Sequence, residues 1–232
     1  MILLFGGLKG GVGTSTLAVN SAVELASNGD NVWLIDCDHR KSAYQWHVMR
    51  QRAAHTPPIS CSVANGRDVI QETEKRSPQA DHIIIDAGNT ESVHLRAGLT
   101  VADKFVAPIQ PTQFDLWTLD SLHSLQQRAA QYNPKLSCNV VLNRVQARIP
   151  GSQTEDAISA IEEIQTGLFC GAVIADNLAY QNSAMLGQAA KEWAPSDGKV
   201  ATEILRMVGL LLGTLKTQDE GMPIHISKDQ AV

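Results

Sequence analysis

The sequence predicts an α/β fold: a mainly parallel, twisted sheet with helices on both faces. Three observations predict it. Short apolar runs alternate with longer stretches that carry apolar residues at three- and four-residue spacing. Runs such as Ile83-Ile84-Ile85 are apolar at successive positions, as strands are when both faces of a parallel sheet are covered. The first run leads directly into a glycine-rich turn that opens a helix.

The strands are expected at residues 2–5, 32–35, 82–85, 105–109, 139–142 and 172–174, each bounded by turn residues. Helices are expected at 15–26, 42–52, 116–129, 153–164 and 200–215, where the apolar spacing fits one face of a helix. Pro57-Pro58, Asn133-Pro134 and Pro195-Ser196-Asp197-Gly198 punctuate the pattern as loops. A chain of 232 residues supports one large domain with a well-buried core, here placed at 1–216. Residues 217–232 are polar, contain Gly221 and Pro223, and have little to bury, so a frayed tail is expected there. No internal repeat or low-complexity tract is present.

Composition narrows the function classes. Apolar residues make up 44% and charged residues 19%, a globular balance. No window approaches the roughly 18 apolar residues of a membrane span. Met1 enters Ile2-Leu3-Leu4-Phe5 without a basic stretch or a small-residue cleavage site, which reads as a strand rather than an export signal, so the cytoplasm is the expected compartment. Cys37, Cys61, Cys138 and Cys170 form no C-x-x-C pair, which argues against a zinc site or disulfide framework and for ordinary buried thiols. The formal net charge of −5 gives no global attraction to nucleic acid, so any DNA contact requires a local patch of Lys and Arg.

The most informative segment is Gly6-Gly7-Leu8-Lys9-Gly10-Gly11-Val12-Gly13-Thr14-Ser15-Thr16. Gly10, Gly11 and Gly13 let the backbone curl so that successive N–H groups, Val12's among them, point at an anion, and the helix start adds its partial positive charge. This cradle needs no side chains. Ser15 supplies a hydroxyl at the first helical turn, the usual ligand of a phosphate-bridging Mg ion, and Thr16 extends the polar helix start.

These residues resemble the deviant Walker A motif, K-G-G-x-G-K-[ST], of the ParA/MinD ATPases, a group with the P-loop NTPase fold. Lys9-Gly10-Gly11-Val12-Gly13-Thr14-Ser15 departs from it at one place. The resemblance implies that the chain binds ATP or ADP with Mg. It also implies that Lys9 reaches the partner's phosphates across a nucleotide-sandwich homodimer, which makes Lys9 a catalytic candidate. The second lysine of the motif is replaced by Thr14. A neutral hydroxyl cannot neutralise developing phosphoryl charge, and loss of such a contact typically costs about a hundred- to a thousand-fold in rate. Two explanations fit: a natural divergent member, or a Lys-to-Thr replacement made to trap one state.

Other segments extend the resemblance. Leu34-Ile35-Asp36-Cys37-Asp38 matches the D-x-D segment, which implies that Asp36 positions the attacking water and helps hold Mg, with Asp38 beside it; the alternative for Asp36 is a helix cap. His39-Arg40 stands where the family often has Pro-Gln. His82-Ile83-Ile84-Ile85-Asp86 looks like a Walker B strand, with Asp86 acting on Mg through a water, although Ala87-Gly88-Asn89-Thr90 departs from the usual continuation. Residues 107–117 are similar to a Pro-Thr-x-x-x-Asp-Leu segment of small ParA and VirC1-like proteins. Val141-Leu142-Asn143-Arg144 resembles their strand ending in Asn-Arg. Asn143 can offer a donor and an acceptor to adenine's edge, or serve only as a turn former. The resemblance runs through Gly187 and Trp193-Ala194-Pro195 to about residue 216.

The function this resemblance implies is a switch for plasmid or chromosome partition or cargo positioning, in which an ATP-bound dimer holds nonspecific DNA and a ParB-like adaptor stimulates hydrolysis. The basic residues Lys191, Lys199, Arg206 and Lys216 are the candidates for DNA, with solvated surface charge as the alternative. A MinD-like membrane role predicts a terminal amphipathic helix, and Gly221-Met222-Pro223-Ile224-His225-Ile226 lacks that pattern. An iron-sulfur relative of the superfamily needs cluster-ligating cysteines at a dimer axis, which the four here do not suggest. A non-catalytic nucleotide-binding scaffold is the remaining alternative, and Thr14 favours it.

Overall fold

The protein is described by a computed structural model covering residues 1–88, 92–146, 152–164 and 168–216. Asn89, Thr90 and the tail at 217–232 lie outside the described residues. Seven parallel strands form one sheet: β1 (Ile2–Phe5), β2 (Val32–Asp36), β3 (Ser60–Val63), β4 (His82–Asp86), β5 (Lys104–Ile109), β6 (Ser137–Val145) and β7 (Phe169–Ala175). Their order is β3-β2-β4-β1-β5-β6-β7. The helices are α1 (Thr14–Ser27), α2 (Ser42–Arg52), α3 (Asp68–Arg76), α4 (Val93–Val101), α5 (Gln113–Leu116), α6 (Leu119–Ala130), α7 (Ser152–Ile164), α8 (Leu178–Met185), α9 (Ala190–Trp193) and α10 (Gly198–Leu212).

The apolar runs are explained by two cores, one on each face. Leu3 and Phe5 of β1 join Leu34, Ile84, Val106 and Val141 in a core with α1 and α10. Leu4 points the other way, with Ile35, Ile83, Ile85, Phe105 and Leu142, against α4 and α6. Side chains alternate across a strand, so a strand buried on both faces must be apolar at every position.

The six expected strands are all present, and a seventh, β3, joins them at the edge. It reads Ser-Cys-Ser-Val and is only partly buried, because an edge strand has less to hide. The helix expected at 116–129 is two: α5 stops at Leu116, and the Thr118 hydroxyl donates to Asp115 O at 2.7 Å before α6 begins. The helix expected to run to 215 ends at Leu212. Gly213 there takes a left-handed φ of 73°, and the N–H groups of Thr214 and Leu215 close on Gly209 O. Cys37 and Cys138 are buried, as expected of ordinary thiols, whereas Cys61 and Cys170 are partly exposed.

In register, Asp36 at the end of β2 lies beside Asp86 at the end of β4, and Phe5 of β1 lies on the other side of Asp86. Three strand ends thus meet where the glycine loop leaves β1, at the carboxyl edge where open parallel sheets place ligands.

Candidate functional site

The loop from Gly6 to Gly13 is fixed from both sides. Gly6 N–H donates to Val106 O at 3.1 Å and Gly7 N–H to Gly88 O at 3.2 Å, so the middle of β5 and the exit of β4 hold its base. At its far end Asn143 Nδ2 donates to Val12 O at 2.7 Å, while Arg144 Nη1 and Gln110 Nε2 approach Gly11 O at 3.3 and 3.5 Å. Gly11 and Gly13 sit at φ of 81° and 95°, values that L residues with side chains adopt at a cost. A Cβ on Gly13 would lie 2.2 Å from Asn143 Nδ2, so glycine there also admits the strut that holds Val12.

Thr14 opens α1 with only 1% of its surface exposed. Ser15 follows, and its side chain acts on the carboxyl of Asp86, lowering its pKa. Asp86 is fully buried, accepts from Gly88 N–H at 3.3 Å through Oδ1, and has no partner for Oδ2 among the described residues. Burial pushes its pKa up to about 7, opposed by the Ser15 side chain and reinforced by the neighbouring Asp36 charge.

Asp36 is equally buried, and burial raises its pKa. Its Oδ1 accepts from Asp38 N–H at 2.9 Å and its Oδ2 from Tyr44 N–H at 2.8 Å, so it ties its own loop to the first turn of α2. This is the capping arrangement. A carboxylate that accepts two such bonds still keeps lone pairs for a water. Asp38 faces the site more openly: a Cβ on Gly88 would lie 2.5 Å from its Oδ2. Its Oδ1 accepts from Arg40 N–H at 3.0 Å and pairs with the exposed His39.

Lys9 has a partner that the sequence motif did not name as one. Its Nζ donates to Asp115 Oδ2 at 2.5 Å; the lysine side chain is 41% exposed and the aspartate 1%. The Thr112 hydroxyl donates to the same carboxylate oxygen at 2.5 Å, and its Oγ1 accepts from Asp115 N–H at 3.4 Å. The T-x-x-D spacing of Thr112 and Asp115 at a helix start was the available signal, since that pattern pairs a cap with an acidic first turn.

On the far side of the loop lies a cleft of about 340 Å³, reached from Gly11, Gly13 and Thr16 and walled by Asn143, Arg144 and Tyr180. Asn143 is buried and lines this cleft while holding Val12. Sequence reasoning missed the wall from β7 and α8. Tyr180 hydrogen-bonds Glu203 of α10 at 3.3 Å, a link between distant segments that no local pattern carries. The expected site residues therefore fall on one edge: the loop, Ser15, Asp36 and Asp86 together, Lys9 at the outer face, and Asn143 and Thr16 on the cleft side. Among the described residues no group of three or more His, Cys, Asp or Glu is arranged to hold a metal by itself.

Comparison with known proteins agrees with this fold. The profile of the family described as ATPase MipZ matches residues 1–149. Maintenance of carboxysome distribution protein A of Gloeobacter kilaueensis is 30% identical over 209 residues, 86% of this chain and 88% of that protein. Its namesake from Halothiobacillus neapolitanus is 25% identical over 61% of this chain and 65% of its own length. Among solved structures, an ATP complex of a Cyanothece McdA variant superposes with a TM-score of 0.74 at 15% identity, covering 93% of this chain and 97% of that one. The MinD cell division ATPase of Pyrococcus furiosus gives 0.69 at 17% identity, over 92% and 99%. Identities this low establish the shared fold alone, whereas the profile match and the Gloeobacter relative reach further: the chain belongs to the ATPase MipZ family, within the ParA/MinD-type ATPases.

Proposed function

We propose that this chain is an ATP-gated positioning switch whose domain spans residues 1–216. In this reading Mg-ATP joins two copies into a homodimer, the dimer holds nonspecific DNA, and a ParB-like adaptor sets the cargo and triggers release. One observation supports it above the rest. The glycine loop, Lys9, Ser15 and the buried Asp86 converge at the carboxyl edge of the sheet.

The residues present fit a Mg ion. Among the described residues Asp86 Oδ2 is a buried acceptor without a partner, on a carboxyl whose pKa the Ser15 side chain lowers, and Mg takes few protein oxygens when phosphates and waters complete its shell. The ion, when bound, would neutralise phosphate charge; Ser15 and Asp86 would hold it, Asp86 through a water. The N–H groups of Gly10 to Ser15 would bind the phosphates. Asp36 or its neighbour Asp38 would orient the attacking water, and Asp38 has the more open position. Lys9 would leave Asp115 for the partner's nucleotide. Asn143 would meet the base from the cleft wall.

The cargo reading draws on two relatives named for carboxysome distribution and one named Protein ParA, from Rhizobium radiobacter, 25% identical over 61% of this chain. DNA would meet Lys199, Arg206 and Lys216; Lys191 is committed to Glu24 at 2.7 Å. No helix among the described residues is long and apolar enough to cross a membrane, and the cytoplasm, on the nucleoid, is the proposed location.

The test compares this chain with Thr14→Lys for Mg-ATP binding and turnover. Both forms are expected to bind, and the lysine form to hydrolyse about a hundred- to a thousand-fold faster. No change in either binding or turnover would overturn the assignment of the loop.

A further inference from the structure

The loss of the lysine at position 14 leaves a charge problem at the site. A nucleoside triphosphate stays net anionic even with one Mg ion, and the carboxylates of Asp36, Asp38 and Asp86 already crowd one side of the loop. Lys9 is paired with Asp115. The cleft beside the loop is walled by one cation, Arg144, and one anion, Asp176.

Arg144 is positioned unusually for the end of a strand. Its φ of 57° is left-handed although it is not glycine, and the β6 and β7 ladder slips in register between Leu142 and Val145. Such irregularities re-aim a side chain off the line of its strand. Here the guanidinium turns onto the glycine loop, where Nη1 donates to Gly11 O at 3.3 Å. Its Nε donates to Asp176 Oδ1 at 3.4 Å, and that pair is 43% and 31% exposed. A long, solvated pair of this kind holds weakly and can be exchanged for a stronger anion. A guanidinium also presents five donors in a fork that matches phosphate oxygens.

We propose that Arg144 supplies the phosphate-neutralising charge that Thr14 withholds, so that this chain grips the anionic end of its nucleotide from the cleft wall rather than from the helix start. The inference rests on the nucleotide-binding reading above and deepens it. Arg144 is on this account a phosphate-binding residue, exchanging Asp176 for the ligand.

The test measures equilibrium affinities of the full chain for adenosine, AMP, ADP and ATP in the presence of Mg, for the wild type, Arg144→Ala and Arg144→Lys. The alanine variant should weaken ATP by about tenfold to a hundredfold, ADP less, and adenosine not measurably. Arg144→Lys should recover part of the loss by keeping the charge. The compensation is tested by repeating the comparison with Thr14→Lys in place, where Arg144→Ala should cost distinctly less ATP affinity. An equal loss for adenosine and ATP would overturn the proposal, because Arg144 would then serve the base or the cleft wall. So would a loss for ATP of the same size with and without Thr14→Lys. A wild type that binds none of the four would instead overturn the nucleotide reading on which the proposal stands.

Discussion

If Asp115 restrains Lys9, then Asp115→Asn should tighten the nucleotide-bound dimer. The substitution keeps the shape and the Thr112 contact but removes the charge that holds the ammonium. The magnitude follows from how each partner is placed. A fully exposed pair contributes about 0–1 kcal/mol, and breaking a fully buried one costs about 3–5 kcal/mol. Here the aspartate is 1% exposed but the lysine 41%, so solvent screens one end and the restraint lies near 1–2 kcal/mol. Each protomer carries the pair, so releasing both before association should lower the dimer dissociation constant in Mg-ATP by about thirty- to a thousandfold. Sedimentation equilibrium with and without nucleotide reads the constant directly, with Lys9→Ala as the variant that loses the dimer. A dimer constant that stays level or weakens in a folded, nucleotide-binding Asp115→Asn protein would show that the pair does not restrain association.

Two further expectations come from the same edge of the sheet and from α2. Gly13→Ala forces a side chain onto a φ of 95° and drives Asn143 off Val12 O, costing about 1–2 kcal/mol of backbone strain and about 1 kcal/mol for the hydrogen bond. The melting temperature should fall by roughly 4–12 °C, and a shift under about 2 °C would mean that the loop relaxes freely. His47 is buried on α2, and burial, reinforced by the Arg50 charge, lowers its pKa below the usual 6.5. The unfolded chain then takes up this proton first, so stability falls as pH drops from 6.5 toward the folded value and levels off below it. Urea midpoints of the wild type and His47→Gln should diverge on acidification through that window; parallel curves would remove His47 from the balance.

Local chemistry made much of the site readable in advance. A cradle built from backbone N–H groups needs glycines at fixed places, so Gly10, Gly11 and Gly13 announce it without any tertiary information. Asp36 and Asp86 were legible because each ends a run of residues buried on both faces, and only a strand end can bring a carboxylate out of such a run. What escaped notice depends on contacts between segments far apart in sequence. The Lys9 pair with Asp115 spans 106 residues, and the Arg144 contact with Gly11 spans 133. Strand β3 escaped because an edge strand carries a weak apolar signal, and α3 because its buried face is only Val69 and Thr73.

Thr14 separates two properties that usually travel together at such a loop. On the proposed reading, much of the affinity rests on the backbone amides and the helix start, which Thr14 leaves in place because it opens α1 as a helical residue. Turnover rests on charge delivered to the transferring phosphoryl group, which a hydroxyl cannot give. A switch needs binding to close and some event to open, and slowing the second without the first lengthens the closed state in proportion. If an arginine from the cleft wall carries the ground-state phosphate charge, it raises affinity without acting at the reacting bond, and that deepens the bias. Opening then falls to nucleotide release or to a partner that brings its own cation. A partner that accelerates opening of the Thr14 protein far more than of Thr14→Lys is therefore the signature of charge supplied in trans, whereas equal acceleration assigns the partner to nucleotide release.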